Sequence, residues 1–172
     1  MLTRPQPGEY ADHFAEYINE VPEGDLLAFL ESQPELLRRE CGGLTEAQGD
    51  YRYAEGKWSV KEVLGHIADT ERVMSYRLLR IARGDATPLP GFDEELFVSH
   101  ASFGRQTIAE LLDGFAVVRE STLALVRQLD DAAWLRLGTA SGGPVSARAL
   151  AYIIAGHAHH HFSILRERYA QA

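Results

Sequence analysis

The stretch Ser146-Ala147-Arg148-Ala149-Leu150-Ala151-Tyr152-Ile153-Ile154-Ala155-Gly156-His157-Ala158-His159-His160-His161-Phe162-Ser163-Ile164-Leu165 decides how the rest of the chain is read. Leu150, Ile153, Ile154, His157, His161, Ile164 and Leu165 recur at intervals of three and four, the period of a helix with one buried face. Ser146 is a residue type that caps a helix by accepting from its unpaired first N–H groups, and the pattern runs on to about Tyr169.

Three upstream segments share this period. Thr107-Ile108-Ala109-Glu110 has the form of a capping box and leads into Leu111, Leu112, Phe115, Val118, Leu125, Val126 and Leu129, towards Asp130. Ser59-Val60-Lys61-Glu62 is a second capping box, followed by Val63, Ile67, Val73, Met74, Leu78 and Ile81 up to Gly84. Asp25 to Cys41 carries Leu26, Leu27, Phe29, Leu30, Leu36 and Leu37 and stops at Gly42-Gly43. Pro34 lies inside it, and a kink is expected there, with Ser32 re-capping a new first turn and Glu35 at its third position.

Between these segments, the residues before Asp25 read as an irregular arm. Thr45 to Gly56 reads as a connector with one helical turn. Asp85 to Gly104 is a long connection rich in Pro and Gly, yet Phe92, Leu96, Phe97 and Phe103 favour its folding over the end or flank of the helices. Trp134 to Pro144 breaks the helical pattern. Four long amphipathic helices with almost no alternating strand pattern predict an all-α four-helix bundle with a long connection between its second and third helices. A length of 172 residues fits one domain over residues 1–172, and no fixed-period repeat supports a solenoid.

With 17 Lys and Arg against 25 Asp and Glu, the formal charge is −8, which opposes binding driven by phosphate neutralisation, so no nucleic-acid partner is expected. No apolar run reaches the roughly 18 to 20 residues needed to span a bilayer, and Met1 to Glu20 lacks a signal-peptide core, so a cytoplasmic protein without membrane contact is expected. Cys41 is the only cysteine. At a helix end, where the dipole disfavours a thiolate, it reads as a half-buried structural residue.

His157 and His161 are four residues apart, so both imidazoles project from one face of the helix and one metal ion can reach both. His160 offers the alternative spacing of three. A third ligand is needed from another element, and His66, set among Val63, Leu64 and Ile67, is the candidate; taken alone, it also reads as a hydrogen-bonded core histidine. His13, His100 and His159 have no partner pattern and read as surface or packing residues.

Lys57-Trp58-Ser59-Val60-Lys61-Glu62-Val63-Leu64-Gly65-His66-Ile67-Ala68-Asp69-Thr70-Glu71 and Gly156-His157-Ala158-His159-His160-His161, in that order and about ninety residues apart, resemble the two metal segments of the DinB-like superfamily, especially its YfiT-like members. Gly91-Phe92-Asp93-Glu94 resembles the loop that follows the first of these segments. The resemblance implies a DinB/YfiT-like four-helix bundle, a site of His66, His157 and His161 holding one divalent metal ion, nickel or zinc, and a homodimer. Many members carry a polar residue, commonly Gln, three positions after the last ligand, where this chain has Ile164.

A metal held by three neutral imidazoles keeps its positive charge and acidifies a water or thiol beside it. Since several members are transferases of low-molecular-weight thiols such as bacillithiol, the leading expectation is a thiol S-transferase whose partners are a small thiol and an electrophilic small molecule. The alternatives are a metal-dependent hydrolase and a metal-binding stress protein without turnover. Hydrolysis needs a positioned base, and Asp69, three residues after His66, is the candidate for that role or for orienting a ligand; a capping or surface ion-pair role competes. Glu71 reads as solvated or ion-paired. Trp58 and Phe97 read as core residues or as walls of a pocket.

Overall fold

The computed structural model describes residues 2–169. Along the chain, a 3-10 turn at Asp12–Phe14 runs into α1 (Ala15–Glu20), followed by α2 (Leu26–Cys41), α3 (Glu46–Gly49), α4 (Val60–Ala82) and α5 (Glu94–His100). A 3-10 turn at Phe103–Arg105 precedes α6 (Ile108–Val126), α7 (Asp131–Trp134), the strands β1 (Leu137–Ala140) and β2 (Gly143–Ser146), and α8 (Ala147–Arg168). The expected four-helix bundle is present as α2, α4, α6 and α8, accompanied by a small hairpin.

Capping sets where each long helix starts. Ser59 accepts from Glu62 N while the Glu62 side chain accepts from Ser59 N, and Thr107 and Glu110 repeat the arrangement. Asp25 caps α2 through Leu27 N, and Ser146 caps α8 through Ala149 N. These side chains satisfy donors that would otherwise be left unpaired at the helix ends.

The helix α2 is not re-capped at Ser32; it continues through Pro34, and the Ser32 hydroxyl instead donates back to Phe29 O. Proline has no N–H for the carbonyl four residues earlier, which is that of Leu30. Arg119 Nη1 on α6 donates to Leu30 O at 2.8 Å in its place. The same guanidinium meets both oxygens of Glu71 on α4 at 2.7 Å, and Nη1 also donates to Gln33 Oε1, whose own Nε2 reaches Ala155 O on α8. Glu71 and Arg119 are buried, so Glu71 is ion-paired rather than solvated. One clamp thus ties all four long helices together at mid-height.

Apolar packing fills the two sides of this clamp. Ile18, Leu30, Leu78, Leu123 and Ile153 belong to one cluster, and Leu37, Leu64, Ile67, Phe115 and Phe162 to the other. In the long helices α4 lies against α6 and α8, and α2 against the same two.

The elements outside the expected pattern are all short. The helix α1, six residues long, is fixed by packing against α8. Residues this few cannot hold a helix by propensity alone. The β1–β2 hairpin turns on Ser141 and Gly142, both with positive φ (51° and 79°), the conformation a two-residue hairpin requires. The connection after α4 adds Leu89 beside Ala140 on this hairpin and is pinned by Arg77, which donates to Pro90 O at 2.7 Å and Ser141 Oγ at 3.0 Å. It then forms α5, capped by Asp93 through Leu96 N, which packs on the flank of α4 with Val98 buried. The expected folding of this segment over the bundle is observed, with the helix as an addition.

Candidate metal centre

His66 lies on α4 and His157 and His161 on α8, two of the helices packed most closely in the bundle. The capping of α4 by Ser59 and of α8 by Ser146 fixes the helical phase from which each imidazole projects. Glycine precedes two of the three. A Cβ on Gly156 would lie 1.8 Å from Tyr17 O, and one on Gly65 would lie 2.3 Å from the Phe103 ring. Gly156 therefore lets the backbone of α1 reach α8, and Gly65 lets Phe103 cover α4.

His66 Nε2 lies 3.0 Å from His157 Nε2 and 3.1 Å from His161 Nε2. His66 and His157 are buried, and His161 closes the trio at the edge of a cleft. Burial pushes all three imidazoles below the ordinary histidine range, His66 to about 4, and in His157 and His161 the neighbouring imidazoles push the same way. All three are therefore neutral at pH 7, the form in which imidazole is a metal ligand.

Protons alone leave this arrangement short of partners. A neutral imidazole has one N–H, so His66 Nε2 can donate to only one of the two nitrogens it faces, and His161 Nδ1 is buried with no hydrogen-bond partner among the described residues. Three converging nitrogen lone pairs suit a divalent cation of borderline softness, with ligand distances of about 2.0–2.1 Å. The donor set fits such an ion.

Neighbouring side chains set the ring orientations. Thr70 Oγ1, one turn after His66, faces its Nδ1 at 3.5 Å, the Trp58 ring packs 4.6 Å from the His66 ring, and the Tyr17 ring meets that of His157 edge-on at 5.3 Å. His160 Nδ1 lies 2.8 Å from Glu20 Oε1 on α1, and the His159 ring packs on Phe29. The trio brought together by the fold is thus the one containing His161. His13 and His100 are exposed.

Glu94 is the residue that the sequence pattern does not single out. As the first residue of α5, it places Oε2 4.0 Å from His66 Nε2. Burial, then the charges of Glu95 and Asp93, raise its carboxyl above the ordinary glutamate range. Asp69, by contrast, forms an ion pair with Arg72 at 2.8 Å on the flank of α4. Of the two aromatic candidates, Trp58 touches the site and lines the cleft beside His161, with its Nε1 donating to Glu95 at 3.0 Å. Phe97 is exposed at 40% and packs on Phe92.

Comparison with known proteins places these features in context. The sequence pattern of the DinB superfamily matches residues 29–165. YfiT from Bacillus subtilis, described as a probable metal-dependent hydrolase with an unusual four-helix bundle topology, superposes with a TM-score of 0.76 at 20% identity, over 88% of this chain and 91% of that one. A mycothiol-dependent maleylpyruvate isomerase gives 0.67 at 15% identity, over 85% of this chain but only 61% of that one. A DinB-like protein of Bacillus subtilis gives 0.60 at 18% identity, over 86% and 92%. These likenesses establish the fold. No curated protein sequence matches the chain.

Proposed function

The chain belongs to the DinB superfamily, and from that membership and the convergence of its three histidines we propose that it is a metal-dependent hydrolase of small esters or amides. His66, His157 and His161 would hold the ion, zinc or nickel by the chemistry of a three-imidazole set. Bound there, the cation supplies acidity to a water or thiol beside it near neutral pH.

The observation that carries hydrolysis over the alternatives is Glu94, whose carboxylate stands 4.0 Å from His66 Nε2. Water gives up its proton far less readily than a thiol does and gains from a carboxylate acceptor within reach. The Glu94 carboxyl is raised above the ordinary glutamate range, and with 45% of its side chain exposed it can pass a proton on to solvent. It also replaces Asp69, already held by Arg72, as the candidate base. Trp58 packs on His66 and walls off one side of the site, and Thr70 faces the remaining His66 nitrogen.

Thiol S-transfer is the second reading, and any thiolate it used would come from an external small thiol such as bacillithiol, because burial pushes the Cys41 thiol up to about 12. The fold shared with a mycothiol-dependent isomerase supports it. The two readings part in one comparison. Zinc- or nickel-loaded protein is assayed on nitrophenyl esters and anilides without thiol, then on a chlorinated nitroaromatic with added thiol. Hydrolysis without thiol, lost in Glu94→Gln, supports the proposal; conjugation alone refutes it in favour of transfer, and silence in both assays with metal bound favours a non-catalytic metal-binding protein.

A further inference from the structure

We propose that the cleft beside His161 receives a single-ring aryl group of the substrate; this deepens the hydrolase reading by naming which ester or amide the site takes. The cleft has a volume of about 180 Å³, opens to solvent, and is lined by Tyr53, Trp58, Val63, Ile164 and Tyr169 together with His161. An apolar cavity on the order of 150 Å³ holds one benzene ring. The space therefore seats one ring with a small substituent.

The walls offer faces rather than polar tips. Tyr169 donates its hydroxyl to Trp58 O at 2.6 Å, and Trp58 Nε1 is committed to Glu95. Tyr53 and Tyr169 meet edge-on, with centroids 5.0 Å apart and planes at 89°, a corner that presents one ring face and one ring edge. An aryl group gains most from such surfaces, in stacked and edge contacts. Ile164, three residues after His161 on α8, continues the apolar wall to the edge of the metal-ligand trio. Lys57 and Glu95, of opposite sign, also line the cleft.

The test reads binding apart from turnover. In a Trp134→Phe background Trp58 is the sole tryptophan, and zinc-loaded protein is titrated with benzyl alcohol and 1-propanol while Trp58 fluorescence is followed. Benzyl alcohol should bind about tenfold tighter than 1-propanol. Ile164→Gln and Tyr53→Ala should each weaken it severalfold at unchanged zinc stoichiometry. Equal binding of 1-propanol, or no effect of both substitutions, overturns the assignment. Ester hydrolysis by the same sample is scored separately: these preferences without any hydrolysis support the aryl cleft and sink the hydrolase reading, whereas hydrolysis of benzyl acetate no more efficient than that of propyl acetate overturns the cleft and leaves hydrolysis standing.

Discussion

Arg119 donates to the carbonyl oxygen of Leu30 at 2.8 Å, the oxygen that Pro34 has no N–H to reach. The guanidinium also pairs with both oxygens of buried Glu71. Arg119→Ala leaves a carboxylate, a carbonyl and the Gln33 amide oxygen without this donor, and removing one partner of a buried pair costs about 3–5 kcal/mol. Urea unfolding should register a loss of that size. The double variant Glu71→Leu, Arg119→Met should recover part of it, because no uncompensated charge stays buried.

Gly156→Ala tests the approach of α1 to α8. Its Cβ would meet Tyr17 O at 1.8 Å, and that oxygen is backbone, so α1 must move. Overpacking of this kind costs about 1–3 kcal/mol or more. Thermal unfolding should show this loss, and zinc affinity should fall as well, since Tyr17 packs on His157.

Glu94→Gln keeps the shape and removes the proton acceptor. A general base contributes about a hundredfold or more to rate, so kcat for ester hydrolysis should fall by that much with metal content unchanged. Asp69→Asn, which loosens only the exposed pair with Arg72, should leave kcat within about twofold.

The metal-free protein should lose stability in two steps as pH falls. His66 folds with its pKa lowered from 6.5 to about 4, so the contribution of its neutral form is complete above 6.5 and is lost as the pH drops towards 4. His157 and His161 act in the same direction. Glu9, hydrogen-bonded by Arg148 and Ser146, has its carboxyl lowered from 4.5 to about 2, so its contribution is present above 4.5 and vanishes as the pH falls through 2. Denaturant midpoints measured from pH 8 to pH 2 should decline over both windows. Glu9→Gln should make only the lower decline shallower without removing it, since Arg80 also holds the Asp85 carboxyl low.

Much of this architecture is legible in the sequence because it is local. Ser59, Thr107 and Ser146 announce their helices through side chains that reach the next turn, and His157 and His161 share a face by spacing alone. His66 is different: helical spacing puts it on a buried face, but only the packing of α4 on α8 brings it within 3.0 Å of His157. The six residues of α1 and the four-residue strands carry too few apolar positions for a period to register. Glu94 was the hardest to read. Its place over His66 depends on Asp93 capping α5 and on Arg77 pinning Pro90 and the hairpin, contacts between segments far apart in the chain. Gly65 and Gly156, glycines inside helices, were the available signals of close approach by another element.

The central claim is that His66, His157 and His161 together hold one divalent ion. Its most direct test is metal content by mass spectrometry, after zinc or nickel loading and dialysis, for the unaltered protein and for His66→Ala, His157→Ala, His161→Ala and His160→Ala. The account predicts one ion per chain in the unaltered protein and in His160→Ala, and loss of the ion in each of the other three. Stoichiometric metal retained by folded His66→Ala would contradict it.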